Sequence, residues 1–130
     1  MSAPYRVLVT GSRDWPTPNA VWAALNDARF EAVLSGRPLV VVHGACPNGA
    51  DTHASQWAEI AAQFTRSVTE EAHPANWQIN GKQAGFIRNQ HMVNLGADVC
   101  LAFIRNGSRG ASHTAALAEQ AGIPVRRWTA

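Results

Sequence analysis

The stretch Arg105-Asn-Gly-Ser-Arg-Gly-Ala-Ser-His113 holds the densest set of groups suited to chemistry on an anion. Gly107 and Gly110 allow positive φ and close approach of backbone to a ligand. Ser108 and Ser112 add hydroxyl donors, and Arg105 and Arg109 add planar, fixed positive charge that suits phosphate. An apolar run precedes the stretch and a helical pattern follows it, so the free N–H groups of a helix N-terminus face the same place. Strand, Gly/Ser/Arg loop and helix start together describe an anion site, with phosphate as the natural occupant. An ordinary βα loop with turn residues has the same look.

Other residues point toward the same chemistry. Gly11-Ser12-Arg13 follows a short apolar run and resembles the turn of a mononucleotide site. It is neither G-x-G-x-x-G nor a Walker A loop, which argues against dinucleotide and P-loop NTPase readings. Arg88 follows Ile87 on the core-side edge of a predicted helix, where a charge should meet a partner or a ligand. Asp14 and Asp51 are the carboxylates nearest the loops in question, and Asp51 is also placed to cap a helix. His43 and His113 lie at predicted strand or loop ends and could contact a ligand, whereas His91 is expected to pack. No pair of the five histidines has zinc-site spacing, so no metal is expected. Trp15 and Trp77 sit in predicted loops, free either to stack on a nucleobase or to cover the sheet end, with Trp77 leaning toward cover.

Positioning these residues requires strands that end where the loops begin. Tyr5–Thr10, Leu39–His43 and Asp98–Ile104 read as buried strands, Arg66–Glu71 as a polar edge strand, and Ile123–Trp128 as a final strand begun by Pro124. Between them, Thr17 and Pro18 predict a helix start with Thr17 as N-cap. Trp22, Leu25, Ala28 or Arg29, Ala32 and Val33 share one face of that helix. The next helix, capped by Asp51, has Ala54, Trp57, Ile60, Ala61 and Phe64 at core spacing. His73–Trp77 reads as a loop. Gly81–Leu95 reads as a helix facing the core with Ala84, Ile87, His91, Met92 and Leu95, and Ala111–Ala121 as the last helix. The βαβαβαβαβ alternation predicts an α/β fold: a single Rossmann-like domain over 1–130, with a doubly wound, mainly parallel five-stranded sheet in the order 3-2-1-4-5 and helices on both faces. The reversal lies between the first and fourth strands, so the crevice belongs between Gly11–Trp15 and Arg105–His113, with His43–Asp51 bordering it.

Bulk properties restrict the function. A formal net charge of +2 is too small to argue for nucleic-acid binding by electrostatics alone. The basic residues are ten arginines and one lysine, a bias that suits phosphate and is equally the signature of a GC-rich genome. Two cysteines, Cys46 and Cys100, make no disulfide framework and read as reduced thiols. The N-terminal Met1-Ser-Ala-Pro-Tyr-Arg6 enters a strand at once. With no signal peptide and no apolar run of spanning length, a cytoplasmic, membrane-free protein is expected.

Five segments, in order, carry a family resemblance: Val7-Leu-Val-Thr-Gly-Ser-Arg-Asp-Trp15; His43-Gly44 with Gly49-Ala-Asp51 and Trp57-Ala58; His73-Pro-Ala-Asn-Trp77; Gly85-Phe-Ile-Arg-Asn-Gln-His-Met92; and Gly107-Ser-Arg-Gly110. Together they resemble the YspA-like branch, found in bacteria and phages, of the SLOG superfamily, which groups the Lonely-Guy enzymes with the DprA/Smf proteins. The resemblance implies a Rossmann-like fold, a nucleotide or nucleotide-derived ligand, no separate cofactor, and a homodimer. It adds His43, Gly44, Arg88 and Asn89 to the ligand-binding set of Gly11, Ser12, Arg13, Gly107, Ser108, Arg109, Gly110 and Ser112.

Lonely-Guy enzymes cleave the N-glycosidic bond of nucleoside 5′-monophosphates with a Pro-Gly-Gly-x-Gly-Thr-x-x-Glu motif and a helix arginine. Arg88 matches that arginine, and Gly107 and Gly110 match two of the glycines. Asn106, Ser108 and Ala111 replace the proline, a glycine and the threonine, and Thr114 stands where the catalytic glutamate would be. A hydroxyl neither stabilises an oxocarbenium-like state nor orients water as a carboxylate does. Catalysis by Arg88 would therefore need Asp14 or Asp51 as substitute carboxylate. Binding of a nucleoside monophosphate or an ADP-ribose-like ligand, as sensor, sequestering protein or regulator, is the favoured expectation. N-glycosidase activity is the first alternative. Single-stranded DNA binding by analogy with DprA is the second, and the low net charge argues against it.

Overall fold

A computed structural model describes residues 3–130; Met1 and Ser2, which the sequence reading placed just before the first strand, lie outside the described residues. Five strands form one sheet: β1 (Tyr5–Gly11), β2 (Leu39–His43), β3 (Val68–Ala72), β4 (Val99–Ile104) and β5 (Val125–Thr129). They lie in the order β3-β2-β1-β4-β5, and every neighbouring pair is parallel. The helices are α1 (Asn19–Leu34), α2 (Ala50–Ala62), the short α3 (Trp77–Asn80), α4 (Ala84–Asn94) and α5 (Arg109–Gln120), with a 3₁₀ turn at Gly81–Gln83.

Alternation along the strands divides the core in two. Val7 and Val9 of β1 join Val41, Leu101 and Phe103 under α1 and α2. Leu8, Val42 and Cys100 point the other way, against Met92 and Val93 of α4 and Ala118 of α5. The sheet is also tied by charge. Arg6 makes a bidentate pair with Glu71 at 3.0 and 2.7 Å, and Arg37 meets Asp98 at 2.9 Å. Among the described residues no helix is long and apolar enough to cross a membrane. Both cysteines are free thiols.

Several local expectations need correction. Thr17 does not cap α1: Pro18 occupies that position, in the αR region and without a side-chain cap bond. Asp51 is not the cap of α2 either. Gly49 is, and Asp51 lies within the first turn. Of the expected faces, Val33, Ile60, Phe64, Ile87, His91 and Leu95 are exposed. The buried face of α1 is instead Val21, Ala24, Leu25, Ala28 and Ala32, and alanines similarly dominate that of α2, because small residues let a helix approach the sheet closely. In α4 the phase is turned by about one residue. Ala84, Asn89, Met92 and Val93 face inward and carry Arg88 with them. Hydrophobic periodicity misjudges that phase because two polar residues lie on the inward side, where Arg88 donates to backbone carbonyls and to Asn89. The expected single helix from Gly81 also breaks into the 3₁₀ turn and α4, and Trp77 belongs to α3, whose first turn Asn76 caps by accepting from Ile79 N at 3.1 Å.

Candidate functional site

A crevice of about 490 Å³ opens at the carboxyl ends of β1 and β4, where the strand order reverses. The loops around it are stitched together by backbone groups. The Ser12 hydroxyl accepts from Arg105 N at 2.8 Å, joining the β1–α1 loop to the β4–α5 loop. Arg105 Nη1 returns the link by donating to Asp14 O at 2.9 Å. The β2–α2 loop closes in from the side. Gly49 has φ +80°, and a Cβ there would fall 2.1 Å from Ser12 O, so only glycine allows this approach.

Arg88 reaches the crevice from α4. Its Nε donates to Asn89 Oδ1 at 2.7 Å, and its Nη1 donates to Gly44 O and, at 3.3 Å, to His73 O. A Cβ at Gly44 would fall 2.5 Å from Nη1, so this glycine makes the room that the guanidinium occupies. Carbonyls, not carboxylates, hold Arg88, which makes no ion pair among the described residues. The same is true of Arg105. Arg13 and Lys82, the other cations lining the crevice, make no ion pair among the described residues. By contrast Arg6, Arg37, Arg126 and Arg127, all away from the crevice, are paired with carboxylates.

Asp51 is the buried carboxyl of the site, with 5% of its surface exposed. Its Oδ2 accepts from Gly44 N and Cys46 N, each at 3.2 Å, which holds the β2–α2 loop in a tight turn. Its Oδ1 is buried without a partner. Burial raises the carboxyl's pKa above the ordinary range, partly opposed by the charge of His43, the Cys46 contacts and Arg88. Burial likewise raises the Cys46 thiol.

The crevice therefore brings together Gly11, Ser12, Arg13, Asp14, Gly44, Asp51, Arg88, Asn89, Ser108 and Gly110 of the sequence-derived set. It does not include His43, Gly107, Arg109 or Ser112. His43 turns aside: its Nδ1 accepts from Ala45 N at 2.9 Å and its Nε2 meets Glu70 in a separate recess. Gly107 takes φ +63° in the turn before α5, and Arg109 and Ser112 are exposed on the first turn of that helix. Thr114 is buried, with its hydroxyl returned to Gly110 O at 3.1 Å, so no carboxylate stands there. Trp15 covers the sheet end, edge-on to Phe103 at 5.5 Å, while Trp77 lines the crevice. Of the two, Trp77, which leaned toward cover, is the one in the crevice lining.

Sequence reasoning missed Lys82, Gly85, Phe86 and Cys46 in the lining. Lys82 carried a signal, as the one lysine among eleven basic residues. Cys46 lay in the His43–Asp51 loop expected to border the crevice, and Gly85 and Phe86 open one of the segments that carry the family resemblance, but none was singled out for the lining. Among the described residues no cluster of three or more His, Cys, Asp or Glu side chains could hold a metal ion.

Residues 5–79 match the YAcAr family, described as the YspA, cpYpsA-related SLOG family. The gene 61 protein of Mycobacterium phage D29 is 49% identical over 120 residues, covering 92% of this chain and 93% of that protein. No solved structure matches the chain. The family match takes in Arg13, Gly44, Asp51 and Trp77 and ends before Arg88 and the β4–α5 loop.

Proposed function

The chain belongs to the YspA, cpYpsA-related SLOG family, and from that premise we propose that its crevice binds a phosphate-bearing nucleotide, either a nucleoside 5′-monophosphate or an ADP-ribose-like compound. The observation that carries this reading is the charge of the lining. Arg13, Lys82, Arg88 and Arg105 converge on one concave space without a carboxylate partner. Unpaired charge held by neutral carbonyls favours an anion brought from outside. Ser108 and Gly110, at the start of α5, add the positive end of a helix dipole. The protein then acts as a sensor, a sequestering protein or a regulator that responds to ligand occupancy.

Thermal-shift titration of the full chain with nucleoside monophosphates and ADP-ribose tests this. The expected result is a concentration-dependent rise in Tm that Arg88→Ala abolishes. A folded wild type that no compound stabilises overturns it.

Asp51 supports a second reading, N-glycosidase activity on the same ligand. In that reaction water adds to C1′ of the ribose, the C1′–N bond breaks, and the departing base takes up a proton. A buried carboxyl with raised pKa and an unpartnered oxygen suits the proton-handling part. Release of free base from a nucleoside monophosphate, lost in Asp51→Asn, is the expected outcome. Binding without base release across the same compounds excludes it.

A further inference from the structure

We propose that Trp77 is the face on which the crevice stacks a nucleobase, with Phe86 beside it, so that the site selects a nucleotide over a sugar phosphate. This rests on the nucleotide reading above and adds to it the residue that recognises the base.

Four of the five tryptophans serve the core. Trp15 and Trp57 are buried, and Trp22 and Trp128 pack against the same cluster. Trp77 does not. The residue is 51% exposed, and it lines the crevice. Phe86 is 46% exposed and lines the same space, braced edge-on by His113 at 4.8 Å and 83°. Half-exposed aromatic rings on a concave wall leave apolar surface for a ligand to cover, and a flat ring covers it best.

Gly85 keeps that wall accessible. It lies in the first turn of α4 without a positive φ, so its backbone does not require glycine. A Cβ there would fall 3.6 Å from Trp77 Cη2 and 3.8 Å from Arg88 Nη2. One point is thus in contact range of both the indole edge and the outer nitrogen of the guanidinium, and glycine leaves it open. A nucleotide offers both chemistries at once, a ring for Trp77 and an anion for the arginines. A sugar phosphate offers only the second.

The test is calorimetric titration of the full chain with the four common ribonucleoside monophosphates, ADP-ribose and ribose 5-phosphate. Wild type is expected to bind the best nucleotide on the order of ten-fold more tightly than ribose 5-phosphate, the scale of one base–aromatic stack. Trp77→Ala removes that margin and leaves ribose 5-phosphate unchanged, whereas Trp77→Phe restores most of it. Gly85→Leu, which fills the gap, removes the margin by a different route. Because Trp77 lies outside the core, the variant's circular dichroism spectrum should match that of wild type.

The proposal is overturned if Trp77→Ala weakens nucleotide and ribose 5-phosphate equally or leaves the best nucleotide unaffected. It is also overturned if ribose 5-phosphate binds wild type as tightly as every nucleotide. Each of these results leaves the anion site standing. Binding of none of the compounds overturns the nucleotide reading and this proposal together.

Discussion

Asp51 carries the conflict between stability and function in one side chain. One oxygen satisfies two backbone N–H groups and the other is buried with no partner. Leaving a buried acceptor unpaired is unfavourable, and so is ionising a carboxyl out of water. Its folded pKa lies above its unfolded value, so the group opposes folding increasingly as pH rises from the unfolded pKa through the folded one. Asn keeps an amide oxygen for Gly44 N and Cys46 N and removes the charge. Asp51→Asn is therefore expected to raise Tm at neutral and higher pH, by an amount that shrinks toward zero below pH 4, while weakening ligand binding or turnover. A variant that unfolds earlier than wild type at neutral pH contradicts this. Thr114 shows the opposite case. It is buried, and its hydroxyl is spent on its own helix.

At the scale of elements, α4 decides most about the site. Its inward face mixes Ala84, Met92 and Val93 with Arg88 and Asn89. The apolar members anchor the helix, and the polar ones reach the end of β2 and the loop after β3, where Gly44 O and His73 O receive the guanidinium. Gly85 belongs to this economy. Glycine in a helix is less stable than alanine by up to about 1 kcal/mol. An alanine Cβ here makes only ordinary contacts with Trp77 and Arg88. Gly85→Ala is thus expected to raise Tm by roughly 2–5 °C and to lower nucleotide affinity modestly. A loss of stability would show that the glycine serves the backbone and not the crevice.

Across the whole molecule, ion pairs tie the sheet together away from the crevice lining. Arg6, bonded to Glu71, ties β1 across β2 to β3, and Asp98, which accepts from Arg6 N and from Arg37, ties the start of β4 to β1. Hydrogen bonds from Arg6, with help from His73, lower the Glu71 pKa to about 2 from an ordinary 4.5. A carboxylate with a depressed folded pKa contributes stability above its unfolded pKa and loses it as pH falls through the folded one. Acid unfolding should therefore gather part of its pH dependence between about 4.5 and 2. Glu71→Gln is expected to flatten a Tm-against-pH curve in that window and to lower Tm at neutral pH. An unchanged slope there would remove Glu71 from the account. In the crevice Arg13, Lys82, Arg88 and Arg105 make no ion pair among the described residues, as is also true of Arg29, Arg66 and Arg109 elsewhere.

Sequence alone determined the strands, their order and the place of the reversal. Runs such as Val7–Val9 and Leu39–Val42 can only be buried, and short right-handed crossovers leave few ways to join them. It also picked out the anion-seeking loops, since glycine, serine and arginine at strand ends are local signals. It did not determine which side chains meet. In α4, Arg88 turns inward to carbonyls far along the chain and to Asn89 beside it, where the expected core face had Ile87 and His91. The pairing of His43 with Glu70 on β3 likewise takes the histidine away from the crevice. Trp15 against Phe103, and Trp77 beside Gly85, were decided by neighbours distant or turned in space, which a periodicity read along one segment does not contain.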